Sequence, residues 1–419
     1  MEILPDDTIK YIPNIINYFN QPINSINDII NTFYQGYNSF FRKIRSNYKK
    51  EGNDFVKIFP QFKNLVKDIN ILFPNNKVPT LKTGENNSLQ LTRRQVALIF
   101  LLSFLNLIKI NRNNIKNSFE FSRILDSKFS SCFHFGLCFL NYLTVIGKWL
   151  EKNDPILEEN ITYTRKNIKS LEYLHQKNEI KLCELNLHNK GSLFKGDASY
   201  CVDFANKYIG GGVLNGGCVQ EEILFAVEPE AIVSLFLMEV MNDCDAIGIY
   251  NTIQYSKYKG YGYEFEYVGC LIDDKTPILK HRIIAIDAIN VKYSYHHPFY
   301  NCDNNQKIIE INRDIHKAYV GFKLPDDPNI PKTIATGNWG CGAFNGNHEL
   351  KFIQQWIAAS FAEVERLDYY SFGDKNMVFV EKYYKAIKEK YKTANALYEA
   401  LFMVAGIDDN YINNLISLK

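Results

Sequence analysis

Near residue 180 the period of the hydrophobic pattern changes, and that change restricts the chain to few architectures. Before it, apolar residues recur at three- and four-residue spacing with few glycines, as in IINTFYQGYNSFFRKI (29–44) and RRQVALIFLLSFLNLI (93–108). That is the period of helices. After it come short runs suited to strands: SYCVDFA (199–205), AIGIYN (246–251), YEFEYVGCL (263–271), HRIIAIDAI (281–289), KTIATGNW (332–339) and LDYYSFG (367–373). Helical patterns separate some of them. PEAIVSLFLMEVM (229–241) opens on proline, whose missing N–H does no harm at a first helical position. HELKFIQQWIAASFAEVE (348–365) puts Leu350, Ile353, Trp356, Ile357 and Phe361 on one face. Strands alternating with helices predict an α/β layered structure with a largely parallel or mixed sheet. Helical texture returns from about residue 375, while ENN (85–87) and NRNNIKN (111–117) read as loops. The expected organisation is a helical accessory region over 1–180 and an α/β domain with C-terminal helices over 181–419.

Composition removes several classes of function. The net charge is +2 at pH 7, so no global bias points to direct nucleic-acid binding or to an anionic membrane. The apolar run VALIFLLSFLNLI (96–108) is too short for a bilayer, which needs about 20 residues, and reads as a buried helix. MEILPDDTIKYIP lacks the basic start and apolar core of a signal peptide. The nine cysteines form no CxxC pair, which predicts reduced thiols and an intracellular protein. No HExxH or similar zinc spacing occurs; the adjacent His296 and His297 read as solvated residues near a turn at Pro298. The lysine-rich KYYKAIKEKYK (382–392) reads as a solvated helix face.

Two glycine-rich loops remain: IGGGVLNGG (209–217), and TGNWGCGAFNGN (336–347) between a predicted strand and a predicted helix. Loops at the carboxyl ends of strands are where α/β folds bind ligands, and glycines let backbone N–H groups approach a phosphate. Neither loop is a Walker A or a GxGxxG fingerprint, so a plain turn competes with a phosphate cradle for each. Carboxylates bracket the first loop. Asp203 ends the preceding strand, and Glu221 and Glu222 follow the glycines. If the loop folds back, the three acids meet, and mutual repulsion with partial burial raises the pKa of at least one. A carboxyl that keeps its proton near neutral pH can expel an alcohol from a sugar. The alternative is one solvated glutamate and one cap. Tyr255, Tyr258, Tyr261 and Tyr263, with Phe344 and Phe372, flank the loops and suit either stacking on a base or ribose or ordinary packing.

Taken together, these segments resemble the poly(ADP-ribose) glycohydrolase family. The resemblance lies in Gly210-Gly211-Gly212, seven residues, then Gln220-Glu221-Glu222, and in VDFANKYIGGG (202–212), QYSKYKGYGYEFEY (254–267) and ATGNWGCGAFNG (335–346), in order. It covers roughly residues 180–400. Leu224 departs from it, since an arginine is expected there. The resemblance implies a macrodomain-like three-layer α/β/α core with a mixed sheet, preceded by an N-terminal helical region. It implies hydrolysis of ribose–ribose bonds in poly(ADP-ribose), with Glu222 as acid and base, Glu221 on the ribose hydroxyls and Asp203 supporting both. Asn206, Gln220 and Tyr261 match ligand-contacting positions, and Gly210, Gly211 and Gly212 wrap the ribose. Asn338, Trp339, Gly340, Cys341, Gly342 and Ala343 match the diphosphate loop, with Phe344 as its adjoining aromatic, and Phe372 is a further substrate-binding candidate. Leu193 and Phe194 fall where the family contacts adenine, across a gap.

The implied partners are the polymer and poly(ADP-ribosyl)ated proteins, with ADP-ribose as product. No metal and no cofactor is implied, so activity would survive chelation. A macrodomain that binds ADP-ribose without cutting it, and a hydrolase of protein-linked ADP-ribose, are the competing readings. The expected location is the nucleus or cytoplasm.

Overall fold

The structure, a computed structural model, describes residues 12–36, 38–74, 79–107, 121–175, 179–273, 275, 277–291 and 304–419. NRNNIKN (111–117) and the His296–His297 pair lie outside the described residues.

The strands are β1 (Asn87–Thr92), β2 (Asn160–Asn167), β3 (Glu184–His188), β4 (Tyr200–Ala205), β5 (Asp245–Ile253), β6 (Ser256–Lys259), β7 (Glu266–Cys270), β8 (Lys280–Asp287), β9 (Thr333–Gly337) and β10 (Arg366–Tyr370). β6 and β7 form a separate hairpin; the other eight form one sheet in the order β1-β2-β5-β8-β4-β9-β10-β3. Its first half is antiparallel, β1 to β2 to β5 to β8. From β8 through β4, β9 and β10 to β3 every pairing is parallel.

Side chains alternate across a strand, and β8 shows the consequence. Ile283 and Ala285 join one hydrophobic core, Ile284 and Ile286 the other. Both faces are covered, so the strand reads as a continuous apolar run. Helices Lys49–Lys67, Arg93–Phe104, Ser130–Lys152 and Gln220–Val227 share the first core; Asn304–Phe322, His348–Phe361, Ala394–Val404 and Tyr411–Ser417 share the second. This is a three-layer α/β/α arrangement, and the N-terminal helices supply much of one outer layer.

Three expectations need correction. The helical reading of residues 1–180 misses β1, β2 and the short 3-10 turns, and β1 and β2 carry the antiparallel edge of the sheet. The helix foreseen over 229–241 is a 3-10 turn, Pro229–Val233, and one α turn, Ser234–Leu237. It stops there because Leu237 O accepts from Leu81 N–H (2.9 Å) and Glu239 N–H donates to Leu81 O (3.2 Å), pulling the chain straight. In YEFEYVGCL the strand begins only at Glu266, after a 3-10 turn over Gly262–Glu264.

The capping box at Thr92 starts the helix Arg93–Phe104: Gln95 N–H donates to Thr92 Oγ1 (3.2 Å) and Thr92 N–H to Gln95 Oε1 (2.8 Å). That helix delivers Arg93, fully buried, to Glu230 and to the carbonyl of Asn251 (3.1 Å). Tyr255 OH (2.5 Å) and Ile253 N–H (3.1 Å) also donate to Glu230. This buried ion pair ties the helical region to the segment that follows the acid-bearing helix. By length and composition Ser130–Lys152 could cross a membrane, but 83% of its apolar window is buried in the first core. The eight cysteines among the described residues are free thiols.

Candidate active site

Parallel strands deliver their loops to one edge, and a cavity of about 820 Å³ opens there. Its walls come from segments that follow β3 (Leu193, Phe194), β4 (Asn206), β8 (Ala288), β9 (Asn338 to Phe344) and β10 (Phe372), closed by the start of the helix Gln220–Val227 and by Tyr261. Binding at the carboxyl ends of strands is the general habit of open α/β sheets.

The two glutamates sit in the first turn of the helix Gln220–Val227, where unpaired N–H groups and the helix dipole favour negative charge. The glycine loop folds back over them. Gly210 N–H (2.6 Å) and Asn206 N–H (2.9 Å) donate to the two oxygens of Glu221. Gly212 N–H (2.8 Å) and Val219 N–H (2.9 Å) do the same for Glu222. Gln220 locks the helix start onto β4: its Oε1 accepts from Phe204 N–H (2.8 Å) and its Nε2 donates to Val202 O (3.3 Å). The loop can fold this tightly because Gly210 and Gly211 lie in the left-handed region, φ +82° and +50°. A Cβ on Gly211 would sit 2.5 Å from an oxygen of each glutamate.

Behind the pair lies Asp203, fully buried, whose carboxyl oxygens meet no hydrogen-bond donor among the described residues. Burial, and then the charge of Glu222, pushes its carboxyl well above the ordinary range. Glu221 moves the same way, through burial first and then Asp203 and Glu222, against the pull of its two backbone N–H bonds. The acids therefore converge, and the loop and helix meet around them rather than leaving one glutamate in solvent: Glu221 and Glu222 are 2% and 6% exposed. Gly210, Gly211, Gly212 and Asp203 lie behind the carboxylates, whereas Leu193, Phe194, Asn206, Gln220, Glu221, Glu222, Tyr261, Phe344 and Phe372 line the cavity.

The second loop braces itself, with Gly346 N–H on Gly340 O (2.9 Å) and Asn345 N–H on Gly342 O (3.1 Å). Asn338, Gly340, Cys341, Gly342 and Ala343 lie in the wall. Trp339 is there too, but its indole is fully buried and donates to Ile286 O (2.9 Å), so it anchors the loop. Phe372 holds a left-handed backbone (φ +56°) with half its surface exposed, a strained placement of the kind found at ligand clamps. Among the aromatics that flank the loops, Tyr255 belongs elsewhere: it is fully buried in the Glu230 network. Among the described residues no group of three His, Cys, Asp or Glu side chains is arranged to hold a metal ion.

The profile of the macro domain fold of poly(ADP-ribose) glycohydrolase matches residues 172–379, and that of its helical domain matches residues 47–165. The chain belongs to the poly(ADP-ribose) glycohydrolase family. Poly(ADP-ribose) glycohydrolase 1 of Caenorhabditis elegans is 38% identical over 221 residues, 49% of this chain and 27% of that protein. Poly(ADP-ribose) glycohydrolase 1 of Arabidopsis thaliana is 32% identical over 260 residues, 47% of each. The chain thus spans less than half the length of these curated relatives. The crystal structure of poly(ADP-ribose) glycohydrolase from Deinococcus radiodurans in complex with ADP-ribose aligns at 14% identity with a TM-score of 0.31, over 56% of this chain and 90% of that one, too loosely to inform the site.

Within the family's signature helix, Leu224 replaces the expected arginine and is buried, 3% exposed. The cavity also holds Tyr258, one of the aromatics that flank the loops, and residues that motif reading passed over: Glu228, Gln254, His348 and Asp374. Glu228 is fully buried and pairs with His281 (2.5 Å), whose other ring nitrogen faces Phe194 O (3.1 Å). Burial lowers the His281 pKa, but the Glu228 carboxylate outweighs it and leaves the imidazole raised. His348 pairs with Asp374 (2.9 Å) at the start of the helix after the second loop. Nothing in the spacing of either pair announces it; both form only when the strand ends converge.

Proposed function

We propose that this chain hydrolyses the ribose–ribose glycosidic bonds of poly(ADP-ribose), releasing ADP-ribose, with Glu222 as the acid and base. The observation that carries the reading is the lodging of Glu221 and Glu222, each held by two backbone N–H groups with both lining one cavity. Hydrogen bonds that fix both oxygens leave a carboxyl little freedom to turn, so its remaining lone pair meets the substrate in one orientation.

Glu222 donates a proton to the departing ribose oxygen, and the ring develops oxocarbenium character. The Glu222 carboxylate left by that transfer stabilises the charge. Glu222 then removes a proton from the water that attacks the ring. Glu221 accepts from the ribose hydroxyls and fixes the sugar. The raised carboxyls of Asp203 and Glu221 keep the cluster from ionising completely, which would stack three charges in one buried volume. Asn338 to Phe344 hold the diphosphate, Tyr261 closes over the ribose, and Phe194 and Phe372 bracket the base. A polymer substrate is the ground for expecting the chain in the nucleus or cytoplasm.

The test is incubation of wild type and Glu222→Gln with poly(ADP-ribose), resolving products by chromatography. Wild type should release ADP-ribose, and the variant at least about 100-fold less, as expected for loss of a general acid. Binding of the polymer by the wild type without release would make the chain a binding module instead.

A further inference from the structure

A cavity of about 820 Å³ suits one ADP-ribosyl unit, but a polymer continues past the bond that is cut. The next unit must leave beside Glu222 and lie on the surface there. We propose that Phe129 and Tyr263 form a second stacking subsite, which takes the adenine of the unit on the far side of the scissile bond. The proposal rests on the reading of the cavity as a poly(ADP-ribose) site.

The path outward from Glu222 follows the glycine loop. A Cβ on Gly217 would sit 2.7 Å from Glu222 Oε1; one on Gly216, the next residue outward, would meet Cys132 Sγ at 3.3 Å and the Phe129 ring at 4.0 Å. Phe129 therefore stands against the same loop that grips the acid. From the opposite side Tyr263 approaches it, with ring centroids 6.3 Å apart and planes 37° apart, two residues beyond Tyr261 in the cavity wall. The rings are splayed, so neither covers the other's face. Both are left in water, Phe129 61% and Tyr263 76% exposed, an unusual cost for large aromatics beside a ligand cavity. Arg123 completes the patch: its Nη1 donates to Asn215 Oδ1 (3.2 Å) on the glycine loop, and the side chain is exposed. Exposed rings next to a guanidinium suit a planar base joined to a diphosphate. Arg123 and Phe129 come from the helical region, which thereby contributes to substrate binding and not only to packing.

The experiment uses the full chain carrying Glu222→Gln, so that substrate is bound without being cut. Affinities for ADP-ribose and for an ADP-ribosyl trimer are measured with and without the Phe129→Ala/Tyr263→Ala pair. The trimer should bind more tightly than the monomer. The double substitution should weaken trimer binding by roughly 5- to 100-fold, the range for one base stack, and leave the monomer unchanged. Phe129→Trp/Tyr263→Trp should retain the trimer affinity. Equal affinity for monomer and trimer, an unchanged trimer affinity in the double variant, or an equal loss for both ligands would overturn the subsite alone. Failure to bind either ligand would overturn the reading of the cavity as well. A shift from dimer to monomer on sedimentation of the double variant would assign the patch to self-association and also overturn it.

Discussion

Gly211→Ala is the sharpest single test of how the glycine loop serves the acids. At φ +50° an L-residue bears a backbone cost of about 1–2 kcal/mol. Its new methyl would lie 2.5 Å from Glu221 Oε2 and 2.5 Å from Glu222 Oε1, closer than real Cβ atoms come to any neighbour. Either the loop lifts or the carboxylates turn, and each response breaks backbone N–H bonds to a carboxylate. Bonds to charged groups contribute about 1.5–3 kcal/mol each, so losing one brings the total to roughly 2.5–5 kcal/mol. Gly84→Ala is the control. Gly84 is also left-handed, φ +79°, but its Cβ would meet only Asn242 Nδ2 at 3.5 Å, and neither residue lines the cavity. It should cost only the backbone share, about 1–2 kcal/mol, and leave turnover intact. In Gly211→Ala the acid is displaced by an appreciable fraction of an ångström, which costs on the order of 100-fold in turnover. Chemical denaturation gives the stabilities, and ADP-ribose release under saturating polymer gives the rates. If Gly211→Ala matches Gly84→Ala in both measurements, the contact between loop and carboxylates is not what positions the acids.

Two further outcomes follow from buried charge. Asp203 has a raised folded pKa, so its contribution to stability is fully present below its unfolded pKa and is lost as pH rises through the folded value. Asp203→Asn should therefore flatten the decline of stability that sets in as pH rises above the ordinary aspartate range, about 4, read from denaturation midpoints; a profile parallel to wild type would contradict the assignment. Arg93→Met leaves Glu230 as a buried, uncompensated carboxylate and should cost about 3–5 kcal/mol, whereas Arg93→Met/Glu230→Leu should recover most of that loss; an Arg93→Met chain of wild-type stability would show that the pair does not join the helical region to the sheet.

The strands that were legible in the sequence are those buried on both faces. β4, β5, β8 and β9 read as largely apolar runs because both of their faces are covered. β2 was not legible, and its inward face explains why. Ile161 and Tyr163 point into the first core, but Arg165 and Asn167 occupy the next two inward positions. They are buried because Asp245 on β5 takes both, Arg165 at 2.7 Å and Asn167 at 2.8 Å. A polar residue satisfied from another strand breaks the alternation that marks a strand, and no local pattern restores it. β1, NSLQLT, lies on the edge, where only Leu91 is buried, so it carries almost no apolar signal.

The site divides along the same line. Glu221 and Glu222 were legible because glycines and acids adjoin in sequence, and one local fold, loop over helix start, brings them together. Glu228 and His281 are 53 residues apart, on the segment after that helix and on β8, and each alone resembles a solvated polar residue. Their pairing holds the Phe194 carbonyl, so the wall expected to face the base is fixed by a contact that only the sheet order β5-β8-β4 creates. The same reasoning gives the helical region its place. Its Arg93 fixes the segment behind the acid-bearing helix, and its Phe129 stands against the loop in front of it. A chain lacking that region would lose a wall of the first core and the support of the acid pair together. The helical layer is therefore part of the candidate active site's architecture, although no motif in it announces chemistry.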